Sequence, residues 1–296
     1  MLLSTEHDHL WSAFGDEGAI ERLAAAGFDA VDMSLFYMYD DSHIFNTPAY
    51  LQRAEELRAF ADGIGIGFNQ SHACFGFDWR DAIAFTEIFW PKQTRAIEIA
   101  GVLGCKSIVI HPLHSPIPYV GNEEMLFEAN MKFYRALLPY AREAGVKIAL
   151  ENMWQTDKKR GVIDDSVCSR AAELARYIDA LDDPQFIACL DLGHCGLVGE
   201  SVTDAIRILG HDRLHALHVH DNDFRGDMHT IPYQGKIDWE GVMQALAEID
   251  YDGDLTMEAS YFCERMPPEL KTASERYMVA VGRHLISRFA YYQQNR

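Results

Sequence analysis

The sequence predicts an α/β fold, a single (β/α)8 TIM barrel, and three observations carry that prediction. A short apolar strand, a polar or ligand-rich loop and an amphipathic helix alternate about eight times along the chain. The chain is 296 residues long, the usual size of one such barrel, roughly 250 residues plus modest insertions. No Gly-rich strand-to-helix turn interrupts the alternation, which favours a closed barrel over a doubly wound open sheet. No Pro-, Gly- or Ser-rich linker divides residues 1–296, so a single domain is expected.

The elements follow in order. Leu2–Thr5 is a short first strand, with a helix expected over Asp16–Ala26. Ala30–Ser34 (AVDMS) precedes a helix over Pro48–Ile64, and Gly67–His72 (GFNQSH) precedes one over Asp81–Leu103. Ser107–His111 (SIVIH) leads to Glu123–Ala144, and Lys147–Glu151 (KIALE) leads to Ser166–Leu181. Phe186–Asp191 (FIACLD), Ala216–His220 (ALHVH) and Asp254–Glu258 (DLTME) are followed by helices over Val202–Leu209, Trp239–Ile249 and Pro268–Phe289. The strands are runs of four to six residues, too short for helices. Gly27, Gly65, Gly104, Gly145 and Gly253 stand where a left-handed residue would end a helix. Asp238, in GKIDWEGV, reads as an N-cap.

Composition narrows the function. Hydrophobic residues make up 48% and charged residues 24%, an ordinary globular balance able to bury a large core. The net charge of −19 argues against unassisted binding to nucleic acid or anionic membrane, which needs clustered cations. Six cysteines without a CxxC pair read as reduced thiols. The N-terminus lacks a signal-peptide core and no apolar run approaches the ~18 residues of a membrane span. A cytoplasmic protein is expected.

The chemistry gathers at the strand ends. Seven consecutive candidate strands finish in a polar residue: Ser34, His72, His111, Glu151, Asp191, His218 or His220, and Glu258. In a barrel those ends converge on the face where active sites of this fold lie. Glu151, Asp191, His218 and Glu258 supply three carboxylates and an imidazole, an O/N set suited to Mn²⁺, Mg²⁺, Co²⁺ or Zn²⁺. Without a cation, three converging carboxylates would repel one another. His194, three residues after Asp191, is either a further ligand or a partner for a substrate oxygen. A second cluster, HVHDNDFRGDMH at 218–229, holds Asp221, Asp223, Asp227 and His229, too dense for a packed core. The Asp-x-His spacing of Asp227 and His229 lets both face one side of an extended segment.

These pieces resemble the xylose isomerase-like TIM-barrel superfamily of sugar isomerases and epimerases, inosose dehydratases and the endonuclease IV group. The matching fragments are IALEN at 148–152, LDLGH at 190–194, HVHDND at 218–223, GKIDWEGVMQALAEIDYDG at 235–253 and LTMEAS at 255–260. The first half matches through element order and through SH at 71–72 and HP at 111–112. The ketose 3-epimerase-like branch implies one divalent metal on Glu151, Asp191, His218 and Glu258, with Glu151 and Glu258 also acting as acid and base. It implies His194 on substrate oxygens. The arginine usual near the end of the seventh-strand loop has Phe224 at its offset and Arg225 beside it. The endonuclease IV-like branch implies three zinc ions, and matching residues exist for all nine ligands: His72, His111, Glu151, Asp191, His194, His218, Asp227, His229 and Glu258.

The expectation is therefore a metal-dependent aldose–ketose isomerase or ketose epimerase acting on a small sugar or polyol. Catalysis needs a base beside a weakly acidic carbon and positive charge near the oxygen. Substrate contacts are expected from His194, Arg225, His72, His111 and Trp154, with Trp11, Phe36, Trp154 and Phe224 as stacking candidates. The alternative is a trinuclear zinc phosphodiesterase acting on abasic DNA. The acidic charge weighs against it, as does the single compact basic run, Lys158–Lys159–Arg160. A lyase or dehydratase on the same metal, or a subunit of a sugar-processing complex, begins from the same proton abstraction. No P-loop favours a phosphosugar, and a homodimer or tetramer is the expectation for assembly.

Overall fold

The computed structural model describes residues 1–114 and 117–295. The strands are β1 (Leu3–Glu6), β2 (Ala30–Ser34), β3 (Gly67–His72), β4 (Ser107–Val109), β5 (Lys147–Glu151), β6 (Trp154–Asp157), β7 (Val162–Asp165), β8 (Phe186–Asp191), β9 (Leu214–His218) and β10 (Leu255–Met257). The helices are α1 (Asp8–Ala26), α2 (Tyr50–Ile64), α3 (Ala82–Ala84), α4 (Trp90–Leu103), α5 (Glu123–Ala144), α6 (Ala171–Leu181), α7 (Leu192–Leu197), α8 (Val202–Arg213), α9 (Trp239–Glu248), α10 (Tyr261–Glu264) and α11 (Pro268–Gln294).

Eight strands form one parallel sheet in the order β10-β1-β2-β3-β4-β5-β8-β9. A parallel bridge between Val219 and Met257 joins β9 to β10 and closes the barrel. Parallel strands are covered on both faces, so they are almost entirely buried: all six residues of β8 are. Val109, Ala149, Ile187, Cys189 and Ala216 form a small apolar cluster of their own. The larger core, with Leu3, Ile20, Leu57, Ile97, Leu137, Leu174, Leu217 and Leu285 among its members, unites residues of the strands and of the outer helices. None of the described helices is long and apolar enough to cross a membrane.

The expected elements are present, and their boundaries move for local reasons. Gly15 breaks α1 with φ 67°, so the expected start at Asp16 marks its second segment. The span Asp81–Leu103 is not one helix. A π turn over Phe85–Phe89 separates α3 from α4, and Pro91 at the start of α4 has no N–H to continue an upstream ladder. The strand expected over Ala216–His220 is shifted back to Leu214–His218, leaving His220 just beyond it. Gly27, Gly65, Gly104 and Gly145 are left-handed helix ends. Gly253 is not; Asp250 takes that role with φ 56°. A Cβ at Gly253 would instead collide with the Tyr251 hydroxyl and the His215 carbonyl. Asp238 caps α9 through the Gly241 amide. The β6–β7 antiparallel hairpin was not expected. Its turn contains Lys158, Lys159 and Arg160, and Arg160 is paired with Asp157 and Asp164.

Candidate functional site

Parallel strands bring their C-terminal residues to one end, where a cavity of about 490 Å³ opens. Its walls include Glu6, Asp8, Phe36, His72, Phe75, His111, His114, Glu151, Trp154, His194, Asp227, His229, Glu258 and Tyr261. At its floor the ligand atoms of Glu151, Asp191, His218 and Glu258 all lie within 4.8 Å of one another, and all four residues are buried. His218 Nδ1 is 3.0 Å from Glu151 Oε1 and 3.1 Å from Glu258 Oε2. These four residues come from β5, β8, β9 and the end of β10, and closure of the barrel is what gathers them.

Two further groups flank this quartet. His111 Nε2 lies 2.9 Å from Glu151 Oε2 and 2.8 Å from His72 Nε2, so Glu151 belongs to both groups. On the other side, His194, His220, Asp227 and His229 meet. His229 Nε2 and Asp227 Oδ2 are 3.0 Å apart, and the rings of His220 and His229 stack at 4.2 Å. The Trp154 indole donates to Asp227 Oδ2 at 3.3 Å.

Backbone geometry aims these groups. Asn152 clamps β5 to β8, accepting from the Asp191 amide at 2.7 Å and donating to its carbonyl at 2.9 Å. The Asn152 carbonyl also lies 2.8 Å from His194 Nδ1, which leaves Nε2 facing Asp227 at 3.6 Å. Asp191 caps α7 through the His194 amide and contacts His220 Nε2 at 3.0 Å. The glycine of DLGH makes room: a Cβ at Gly193 would enter the His220 imidazole.

Burial acts on every group here and opposes charge. It raises the Glu151 pKa, but His218 and His111 outweigh it and hold the carboxyl well below its usual range. Burial likewise raises Asp191, and His194 and His220 bring it down. For His194, burial lowers the pKa while Asp191 and Asp227 raise it well above the ordinary imidazole value. Burial lowers His229, but Glu258 and Asp227 lift it to about 9. Burial, with His111 beside it, pushes His72 well below the usual value.

All nine residues matched to the three-metal pattern belong to these three groups. Trp154 and Phe36 are on the cavity wall. Arg225 is a correction: it is exposed and absent from the wall, its amide donating to Asp223 Oδ1. Phe224 is also off the wall and packs over Gly196, where a Cβ would meet its ring. Trp11 stacks on Tyr37 at 3.6 Å rather than facing the cavity. Ser34 is buried but is not on the wall; its amide donates to His7 Nδ1. Asp221 has a structural part: it accepts from the amides of Asn222, Tyr233 and Ile237 and from the Trp239 indole. Asp221→Asn should cost about 3 kcal/mol by leaving buried donors mismatched. Urea unfolding reads this, and an unchanged midpoint would remove Asp221 as the anchor of the 221–239 loop.

Sequence reasoning missed Glu6, a buried carboxyl on the wall that burial, with Glu258, Asp8 and Asp32 nearby, raises well above its usual pKa. The signal was its place directly after the first candidate strand, Leu2–Thr5, which the structure extends to Glu6.

The family model described as a xylose isomerase-like TIM barrel matches residues 20–278. An uncharacterised protein of Sinorhizobium fredii is 26% identical over 214 residues, 69% of this chain, and the match spans only 59% of that protein. L-ribulose 3-epimerase of a Methylomonas species is 25% identical over 264 residues, covering 88% of this chain and 83% of the relative. A solved D-tagatose 3-epimerase-like protein superposes with a TM-score of 0.74 at 20% identity, over 100% of this chain and 99% of its own. The chain belongs to the xylose isomerase-like TIM-barrel family.

Proposed function

We propose that the chain is a metal-dependent isomerase or epimerase that moves a proton at a carbon beside a carbonyl in a sugar or polyol. One observation carries this reading. Two buried glutamates, Glu151 and Glu258, both lie within 3.1 Å of His218 Nδ1 at the floor of a substrate-sized cavity. The donor set fits a divalent cation, for Glu258 Oε2 and His218 Nε2 are buried without hydrogen bonds. A cation held by Glu151, Asp191, His218 and Glu258 would supply positive charge beside the substrate's carbonyl oxygen.

The chain's own residues supply the proton chemistry. One glutamate takes the proton and the other returns it, and a second face of return gives an epimer. His194 is oriented by the Asn152 carbonyl and directs Nε2 towards substrate oxygen. Phe36, Trp154 and Phe75 offer apolar faces to the sugar carbons. No Lys or Arg is on this wall among the described residues, which favours an uncharged substrate over a phosphosugar.

A second reading rests on the three adjacent groups, one of them sharing Glu151 with the quartet: a three-zinc phosphodiesterase on abasic DNA. The lack of cationic wall residues weighs against it. Elemental analysis and NMR detection of solvent deuterium in ketoses test both together. One metal per chain with deuterium uptake supports the isomerase. Three metals without uptake, with cleavage of an abasic duplex, would replace it.

A further inference from the structure

A second cavity of about 260 Å³ adjoins the first, and Phe75, Gly76, His111 and His114 belong to both walls. It lies behind the loop that follows β3. Its remaining walls carry Phe77, Trp79 and Phe89, with Phe77 and Phe89 ring centroids 4.9 Å apart, and Asp78 and Arg80, whose charges pair with each other at 2.8 Å. Phe75 lines both compartments and stacks on His111 at 4.4 Å.

Polar atoms on this wall are unspent. Gln93 is 1% exposed; its Nε2 donates to the Cys74 carbonyl at 2.7 Å, and its Oε1 is buried without a partner. The Trp79 indole nitrogen and His114 Nδ1 are likewise buried and unpartnered. A buried amide oxygen left alone costs free energy that a ligand hydroxyl can recover. Aromatic faces with an indole donor, an amide acceptor and an imidazole nitrogen suit a hydroxylated ring, whose C–H face stacks while its hydroxyls bridge the polar atoms.

We propose that this annex binds the second ring of a glycoside, so that the substrate is an oxidised disaccharide or glycoside rather than a free ketose. The inference rests on the proton-transfer reading of the main site and names its substrate class. Its chemistry is restrictive. With the glycosyl ring in the main site and the second ring in the annex, the anomeric carbon at the main site is locked as an acetal, so the activating carbonyl there must be an oxidised carbinol of that ring. The reaction that supplies the substrate is then a dehydrogenation, with hydride passing to an oxidised nicotinamide or flavin and the hydroxyl proton to water.

The test measures kcat/KM for solvent deuterium exchange in the metal-loaded protein. The probes are D-fructose, the 3-oxo derivative of methyl glucoside, and the 3-oxo derivatives of maltose, cellobiose and sucrose. At least one disaccharide should exceed the methyl glycoside by about tenfold, the scale of a good aromatic stack. Trp79→Ala should bring that ratio to about one, and Phe77→Ala should lower it, the fold of each being checked by circular dichroism. Disaccharides no better than the methyl glycoside, a ratio untouched by both variants, or D-fructose exchanging fastest would overturn the annex while leaving the main-site reading intact. Exchange in none of the probes would overturn the main-site reading, and the annex with it.

Discussion

Glu151→Gln is expected to lower proton exchange by about 10³-fold, within the range for removal of a positioned general base. Glutamine keeps the shape and one oxygen ligand but cannot accept a proton. Metal content measured beside activity therefore separates loss of the base from loss of the ion. The variant should also melt lower, because His218 and His111 lose the buried carboxylate that faces them. Breaking such a pair costs about 3–5 kcal/mol, so activity must be read well below the melting point. Glu258→Gln should match it in activity. Full activity with either glutamine would remove that glutamate from the proton transfer.

Chelation is expected to abolish exchange and lower thermal stability, and the size of the shift should depend on pH. Metal binding requires neutral imidazoles and releases their protons. His229 is raised to about 9, so in the metal-free protein its contribution to stability is complete below the ordinary 6.5 and is lost as pH rises through about 9. Asp227 has the opposite sign. Burial raises its pKa, but His194 and His229 depress it well below 3.8, so its contribution is present above that value and lost in acid. Between pH 6.5 and 9 the metal-free form thus weakens, while a cation on Glu151, Asp191, His218 and Glu258 binds more tightly as His218 gives up its proton. Burial lowers the His218 pKa, but Glu258 and Glu151 help to raise it well above the ordinary imidazole value. The gap in Tm between loaded and chelated protein should widen over that range in scanning calorimetry. A gap that narrows would argue that Glu151, Asp191, His218 and Glu258 take up no ion.

The fold was legible because a parallel barrel writes itself as short buried strands punctuated by glycine, and β2, β3, β5 and β8 have their expected bounds. The central quartet was legible for the same reason: strand ends in a barrel must converge. What the sequence hid was direction. Arg225 lies near the right place in the chain, but its side chain is exposed at the rim. Asp221 and Asp227 look alike in sequence, yet one gathers backbone amides and the other faces imidazoles. The hairpin β6–β7 was missed because its eight residues carry little apolar signal, being largely polar and partly exposed.

The seam between β9 and β10 is held by the Val219 and Glu258 amides, which donate to the carbonyls of Thr256 and Val219. It is the slightest suture in the cylinder, and it runs directly beneath His218 and Glu258. An ion gripping both would act as a clasp across it, so loading the mouth would also slow the breathing of the wall below.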